Sequence, residues 1–201
     1  MMPIIFWSRC HPKWYDLAMP YPADHKLKTH DRIIEQAARL FRAQGYAATS
    51  VERLMAAAGL THGGFYAHFQ GKTELFKAAL HHAFAQSRGY LLGHGLEDLK
   101  GDGWVRRAGR RYLSRSHRDA PVEGCAIPTL SAEVARAEDG VRSAFGEALD
   151  ETLAALAERL DGDRAAAIRL LATWAGAMSM ARAVDGPLAE EILAACRPAT
   201  D

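Results

Sequence analysis

Proline placement is the strongest constraint on what this chain can fold into. Four of its eight prolines, Pro3, Pro12, Pro20 and Pro22, fall in the first 22 residues, and none follows until Pro121. A proline inside a helix removes a hydrogen bond and clashes with the preceding turn, so so long a gap suits consecutive helices. Pro121 and Pro128 mark one interruption, and Pro187 and Pro198 bracket the last segment. Between them apolar residues recur every three to four positions, with no alternating run long enough for a strand. The expectation is an all-α protein.

Composition narrows the class without naming a partner. With 49% hydrophobic and 24% charged residues over 201 positions, collagen-like, disordered and cysteine-scaffold readings are excluded. The three cysteines, Cys10, Cys125 and Cys196, are far apart and form no CxxC pair, which favours a reducing cytoplasm. The apolar opening Met1 to Trp7 has no basic region before it and is too short for a secretory signal. The low-charge run from Leu170 to Ala181 is about half a bilayer span. The reading is a soluble cytoplasmic protein.

Charge divides the chain. The first 24 residues carry two bases and two acids with no sustained period, and residues 1–24 are read as a flexible arm, within which Met19 is a candidate true start. Residues 25–72 hold seven basic and three acidic residues, a net of +4, whereas 73–201 hold 16 against 19, a net of −3. A basic head on an acidic body points to a polyanion for the head alone.

The head has helix-turn-helix grammar. From Thr29 to Gly45 the apolar pairs Ile33/Ile34, Ala37/Ala38 and Leu40/Phe41 describe one helix stripe. Thr49 with Glu52 three residues later reads as a capping box opening a short second helix. Gly59 provides a turn residue able to take positive φ, and Thr61 is a candidate N-cap for a third helix. That helix contains Gly63 and Gly64, each costing about 1 kcal/mol in a helix interior, a composition that packing alone does not explain. Gly71, Lys72 and Thr73 match the end of a phosphate-binding loop, but Tyr66 stands where the first glycine is required and no strand precedes it.

The run GLTHGGFYAHFQGKTELF, preceded by TSVERLMAAAGL, resembles the DNA-binding head of the TetR family of bacterial transcriptional regulators over roughly residues 28–80. Tyr66, the His68-Phe69 pair and Lys72 fall where that family's signature places them. The resemblance implies an N-terminal three-helix helix-turn-helix domain (25–72) joined to a helical-bundle ligand-binding and dimerisation domain (73–201). Thr61, His62, Gly63 and Gly64 then open the recognition helix, the end aimed at base edges in the major groove. Tyr66, His68 and Lys72 would meet phosphate oxygens, and Thr49 and Ser50 would hold the opposite strand. Phe65 and Phe69 are read as core.

In the body, helices are expected from Thr73 to about Gly89, around Trp104 to His117, near Leu130 to Ala135, from about Val141 to Leu160, from Asp163 to Val184 and from Leu188 to Cys196. Small and aliphatic residues crowd the last two, from Ala165 to Ala177 and from Leu188 to Ala195. Their apolar surface exceeds what one flank needs and predicts a homodimer through the last two helices. The resemblance implies a small-molecule effector pocket, for which Phe84, Trp104, Tyr112, His117, Cys125, Phe145, Trp174 and Met178 are candidates. Core filling is the weightier reading for the tryptophans and the methionine. Cys125 in the turn EGCAIP is either a thiol sensor or, with more weight, a small buried hydrophobe. No metal site and no cofactor is expected, and no hydrolase, zincin or dinucleotide motif is present. The expected function is a ligand-responsive regulator, most often a repressor, released from a near-palindromic double-stranded DNA operator by an effector. The alternatives are a non-specific architectural DNA binder and, with less support, a small all-helical enzyme.

Overall fold

The computed structural model describes residues 23–199. The expected arm up to residue 22, the Met19 start and Cys10 lie outside the described residues. Among the described residues every regular element is helical.

Helix α1 (Ala23–Gln44) begins six residues before Thr29, where the expected helical segment opens, and buries Ile33, Ala37, Ala38 and Phe41. It stops at Gly45, where φ is 81° and a Cβ would lie 2.9 Å from the Glu133 carboxylate. The backbone angle demands glycine there. Helix α2 (Val51–Ala57) is capped one residue later than expected, by Ser50, whose hydroxyl accepts the Arg53 N–H at 3.3 Å. Thr49 instead donates its hydroxyl to the Gly45 carbonyl at 2.6 Å and is fully buried. It closes the turn behind α1, which corrects the capping box. Gly59 reverses the chain with φ 68°.

The third element is a 3-10 helix, His62–Ala67, rather than an α-helix, and Thr61 at its N-cap position makes no side-chain capping bond. Six residues with two glycines carry little α-propensity, and the tighter winding is the usual outcome for such short pieces. Phe65 beneath it is fully buried.

Helix α3 (Lys72–Leu92) passes straight through Gly89. The expected single helix from Trp104 to His117 is two, α4 (Gly101–Tyr112) and α5 (Arg115–Asp119). Ser114 breaks it by accepting the His117 N–H at 3.2 Å, a local cap competing with helix continuation. Then come α6 (Ile127–Val134, Pro128 in its first turn), α7 (Asp139–Glu158), α8 (Arg164–Arg182) and α9 (Pro187–Cys196).

Two apolar clusters hold these helices together. The first joins Phe41, Leu54, Phe65 and Phe76 to Leu130, Val141 and Ala148, so the packing under the head continues past Lys72 into α3, α6 and α7. The second centres on Trp104, Tyr112, Leu156, Trp174 and Met178. Helices α3 and α7 run through both, and α8 and α9 flank the second. Each fully buried large side chain supplies about 1.5–3 kcal/mol, so head and body are bonded by core, not by a linker.

Candidate nucleic-acid interface

Three short elements bring the expected contact residues to one end of the molecule. Thr61, His62 and Gly63 are exposed at the start of the 3-10 helix, and Tyr66 is 66% exposed, unusual for so large a ring. The His62 and Tyr66 rings meet edge to face at 6.1 Å. Phe65 and Phe69 anchor the element from below, both buried. A Cβ built on Gly63 would meet nothing within 4 Å, and one on Gly64 only the end of Met55 at 3.7 Å. The fold itself therefore does not require Gly63, which leaves an uncovered stretch of backbone facing outwards.

Lys72 opens α3, where the first N–H groups of a helix have no intrahelical partner and the dipole favours anions. Its ammonium lies 4.2 Å from the centre of the Tyr46 ring. Tyr46 is in turn fixed by a 3.1 Å hydrogen bond between its hydroxyl and that of Thr73 and by ring contacts with Phe41 and Phe76. Partial burial pulls the Lys72 pKa down while Glu133 pulls it up. Tyr46 was not singled out in the sequence, because nothing local marks an aromatic as the rest for a cation 26 residues away.

Not every expected residue faces outwards. Ser50 is exposed as the α2 N-cap, but Thr49 is buried and cannot touch a phosphate from its present position. His68 is half-buried, its ring centre 6.2 Å from that of His30, which stacks on Phe69 at 4.8 Å. Burial first, then the charge of His30 and Lys26, lowers the His68 pKa. A neutral ring turned towards α1 is a poor phosphate anchor, so the expected role of His68 is corrected to packing between α1 and the head.

The body contains a cavity of about 250 Å³ bounded by α3, α4, α5 and the loop before α6. Of the candidate pocket residues, Tyr112, His117 and Cys125 line it. The other five are core. Phe84 meets Phe145 edge to face at 5.1 Å in the first cluster, and Trp104 lies 6.0 Å from Trp174, its indole N–H donating to the Leu91 carbonyl at 3.1 Å. Trp174 stacks on Tyr112, and Met178 is fully buried.

His117 is held neutral by its neighbours. Its Nε2 accepts the Cys125 N–H at 3.0 Å, which leaves Nδ1 to donate to the Tyr112 carbonyl at 2.6 Å. Burial pushes its pKa down to about 4, aided by Arg182 and opposed by the Tyr112 carbonyl. Burial likewise raises the Cys125 thiol. A thiol with 4% of its surface exposed and its pKa raised by burial favours the small-hydrophobe reading of Cys125 over the sensor.

Two contacts that the sequence did not signal tie this cavity to the head. Arg42 on α1 donates to the Gly124 carbonyl at 3.2 Å and to Gln86 at 3.1 Å. Glu133 on α6 accepts the N–H groups of Tyr46 and Ala47, both at 2.8 Å, directly after α1. Partners 44 to 87 residues apart leave no local pattern to read.

Fold and exposed surface together define a helix-turn-helix protein with an all-helical body. Residues 33–79 match the bacterial regulatory proteins of the tetR family. Among curated relatives, the regulator AcrR of Shigella flexneri is 43% identical over 49 residues, 24% of this chain and 23% of that protein. SrpR of Pseudomonas putida is 40% identical over 53 residues, 26% and 25% of the two. The match thus spans about a quarter of each relative's length. Among solved structures, the reduced form of E. coli NemR superposes with TM-score 0.69 at 22% identity, over 86% of this chain and 100% of that one. A TetR regulator of Chloroflexus aurantiacus gives 0.65 at 25% identity, over 85% and 91%. The head is thus similar to that of tetR-family regulators, and the described chain shares the fold of the solved ones.

Proposed function

We propose that this protein is a homodimeric transcriptional repressor that occupies a near-palindromic operator and leaves it when a small molecule enters the body. The observation carrying the DNA-binding part is the uncovered backbone at Gly63 beside exposed His62 and Tyr66, with Lys72 at a helix N-terminus. Backbone exposed in this way suits close approach to a groove, while Lys72, Tyr66 and Ser50 suit phosphates on either side. Thr61 and His62 are the base-reading candidates.

Dimerisation through α8 and α9 is supported by the exposed ridge Ile168, Ala172, Gly176 and Met180, spaced four apart along α8. Ile168, Met180 and Leu188 are 46%, 53% and 50% exposed, and Gly176 would meet nothing if it carried a Cβ. Large apolar ends with small residues between them suit close crossing by a second copy. No helix among the described residues is long and apolar enough to cross a membrane, in keeping with work on cytoplasmic DNA.

The cavity and the two head contacts supply a route for release. An effector that displaces the Gly124–Cys125 wall would disturb Arg42 and, through α6, the Glu133 hold on the turn after α1. It shifts the heads only by its differential affinity for the two arrangements. The test is selection of bound fragments from the source genome by the full-length protein, followed by titration across a mutated operator library. His62→Ala is expected to change which bases are preferred; a uniform loss across the library would reject base reading there. Affinity that depends on salt but ignores sequence would favour the architectural reading.

A further inference from the structure

One polar group of the cavity walls has only a weak partner in the folded chain. Tyr112 is fully buried, its ring stacked on Trp174 at 5.7 Å, and its hydroxyl has no hydrogen bond of ordinary geometry; the Cys125 thiol beside it is a weak partner. A buried hydroxyl without a strong partner keeps most of its desolvation penalty, so it is rarely kept where packing alone is at stake. The other polar side chains of the wall are engaged. Ser87 donates to the Ala83 carbonyl at 2.9 Å and Tyr90 to the Arg111 carbonyl at 3.3 Å. Both His117 nitrogens are used, Ser116 pairs with Ser114, and Glu123 receives Arg39 at 2.8 Å.

Charge and size restrict what would complete Tyr112. The lining residues include no lysine or arginine, so an entering carboxylate would be buried without a contacting cation. Behind the wall, Arg182 donates to the His117 carbonyl at 2.7 Å and to the Arg118 carbonyl at 3.2 Å, and its positive field reaches Tyr112 and Cys125. That field favours an oxygen acceptor over a second donor beside the phenol. A cavity of 150 Å³ is enough for benzene, so about 250 Å³ holds one substituted ring.

We propose that the cavity binds a neutral, compact aromatic or alicyclic molecule bearing a carbonyl oxygen, which accepts the Tyr112 hydroxyl and stands between Tyr90, Leu91 and the Gly124–Cys125 wall. This rests on the reading of the body cavity as the effector site and specifies its ligand chemistry. Tyr112→Phe removes only the weakly partnered oxygen, so the variant keeps its fold and its stability or gains slightly.

The experiment titrates three probes by calorimetry into the full-length protein and into Tyr112→Phe: acetophenone, ethylbenzene without the acceptor, and anionic benzoate. Acetophenone is expected to bind the native chain about 5-fold tighter than the variant, one neutral hydrogen bond's worth. Ethylbenzene should bind the two equally and more weakly than acetophenone does the native chain, and benzoate should bind weakest. Equal acetophenone affinity for both proteins, no acetophenone binding at millimolar concentration, or benzoate binding tightest overturns the proposal. Retention of genomic fragments by the same preparations separates the two readings. Fragments retained without acetophenone binding overturn the ligand class alone, whereas Tyr112-dependent binding without fragment retention supports the cavity and overturns the repressor.

Discussion

At the residue scale, Gly63 is the most informative position: the chain has room for a methyl group there and asks for no positive φ. Gly63→Ala is expected to leave stability unchanged or raise it by up to about 1 kcal/mol, while operator affinity falls at least tenfold. Denaturant midpoints and binding titrations check the two halves, and unchanged affinity would remove the close-approach argument. Lys72→Ala should weaken binding to all sequences and lower the salt slope by about one; an unchanged slope would free Lys72 from any phosphate. His117 carries the pH dependence. Its folded pKa of about 4 lies below its usual value, so its stabilisation is complete above about pH 6.5 and is lost as pH falls towards 4, about 3 kcal/mol in all. His117→Gln should flatten that part of the stability curve. Gly63, His62 and Tyr66 were legible because their composition makes no sense as packing. Thr49 and His68 were not: Thr49 is buried by its bond to the Gly45 carbonyl in a turn that Glu133 holds, and His68 by packing beside His30 on α1, partners that no local pattern announces.

At the element scale, α6 joins the cavity wall to the head. Its N-terminus follows the cavity wall at Gly124 and Cys125, and its Glu133 holds the turn after α1. Glu133→Ala should therefore speed amide exchange at Tyr46 and Ala47 by tenfold or more while exchange in α8 stays unchanged. Exchange that accelerates uniformly would mean that the carboxylate only contributes to global stability. Helix positions were readable from period and proline, including α7, α8 and α9 to within about two residues. The break between α4 and α5 and the 3-10 winding of the third element were not. One depends on the Ser114 hydroxyl outbidding helix continuation, the other on how little six residues with two glycines gain from an α-turn.

At the scale of the whole molecule, two copies are needed for the account to work. Met180→Asp places a charge in the exposed apolar ridge of α8 without touching the buried face, and it should yield a folded monomer by sedimentation with operator affinity reduced at least a hundredfold. A dimer that persists would put the interface elsewhere. The small-residue content of α8 and α9 made this surface visible in the sequence. The cavity was only partly visible: Tyr112, His117 and Cys125 come together through a cap, a carbonyl and a loop, whereas Trp104, Trp174 and Met178 are equally bulky and simply fill the core. The most direct test of the central claim is a hydroxyl-radical footprint of the full-length protein on a genomic fragment it selects. Two protected half-sites centred about 34 Å apart on one face of the duplex are expected; uniform protection along the fragment, or none on any fragment, would contradict the account.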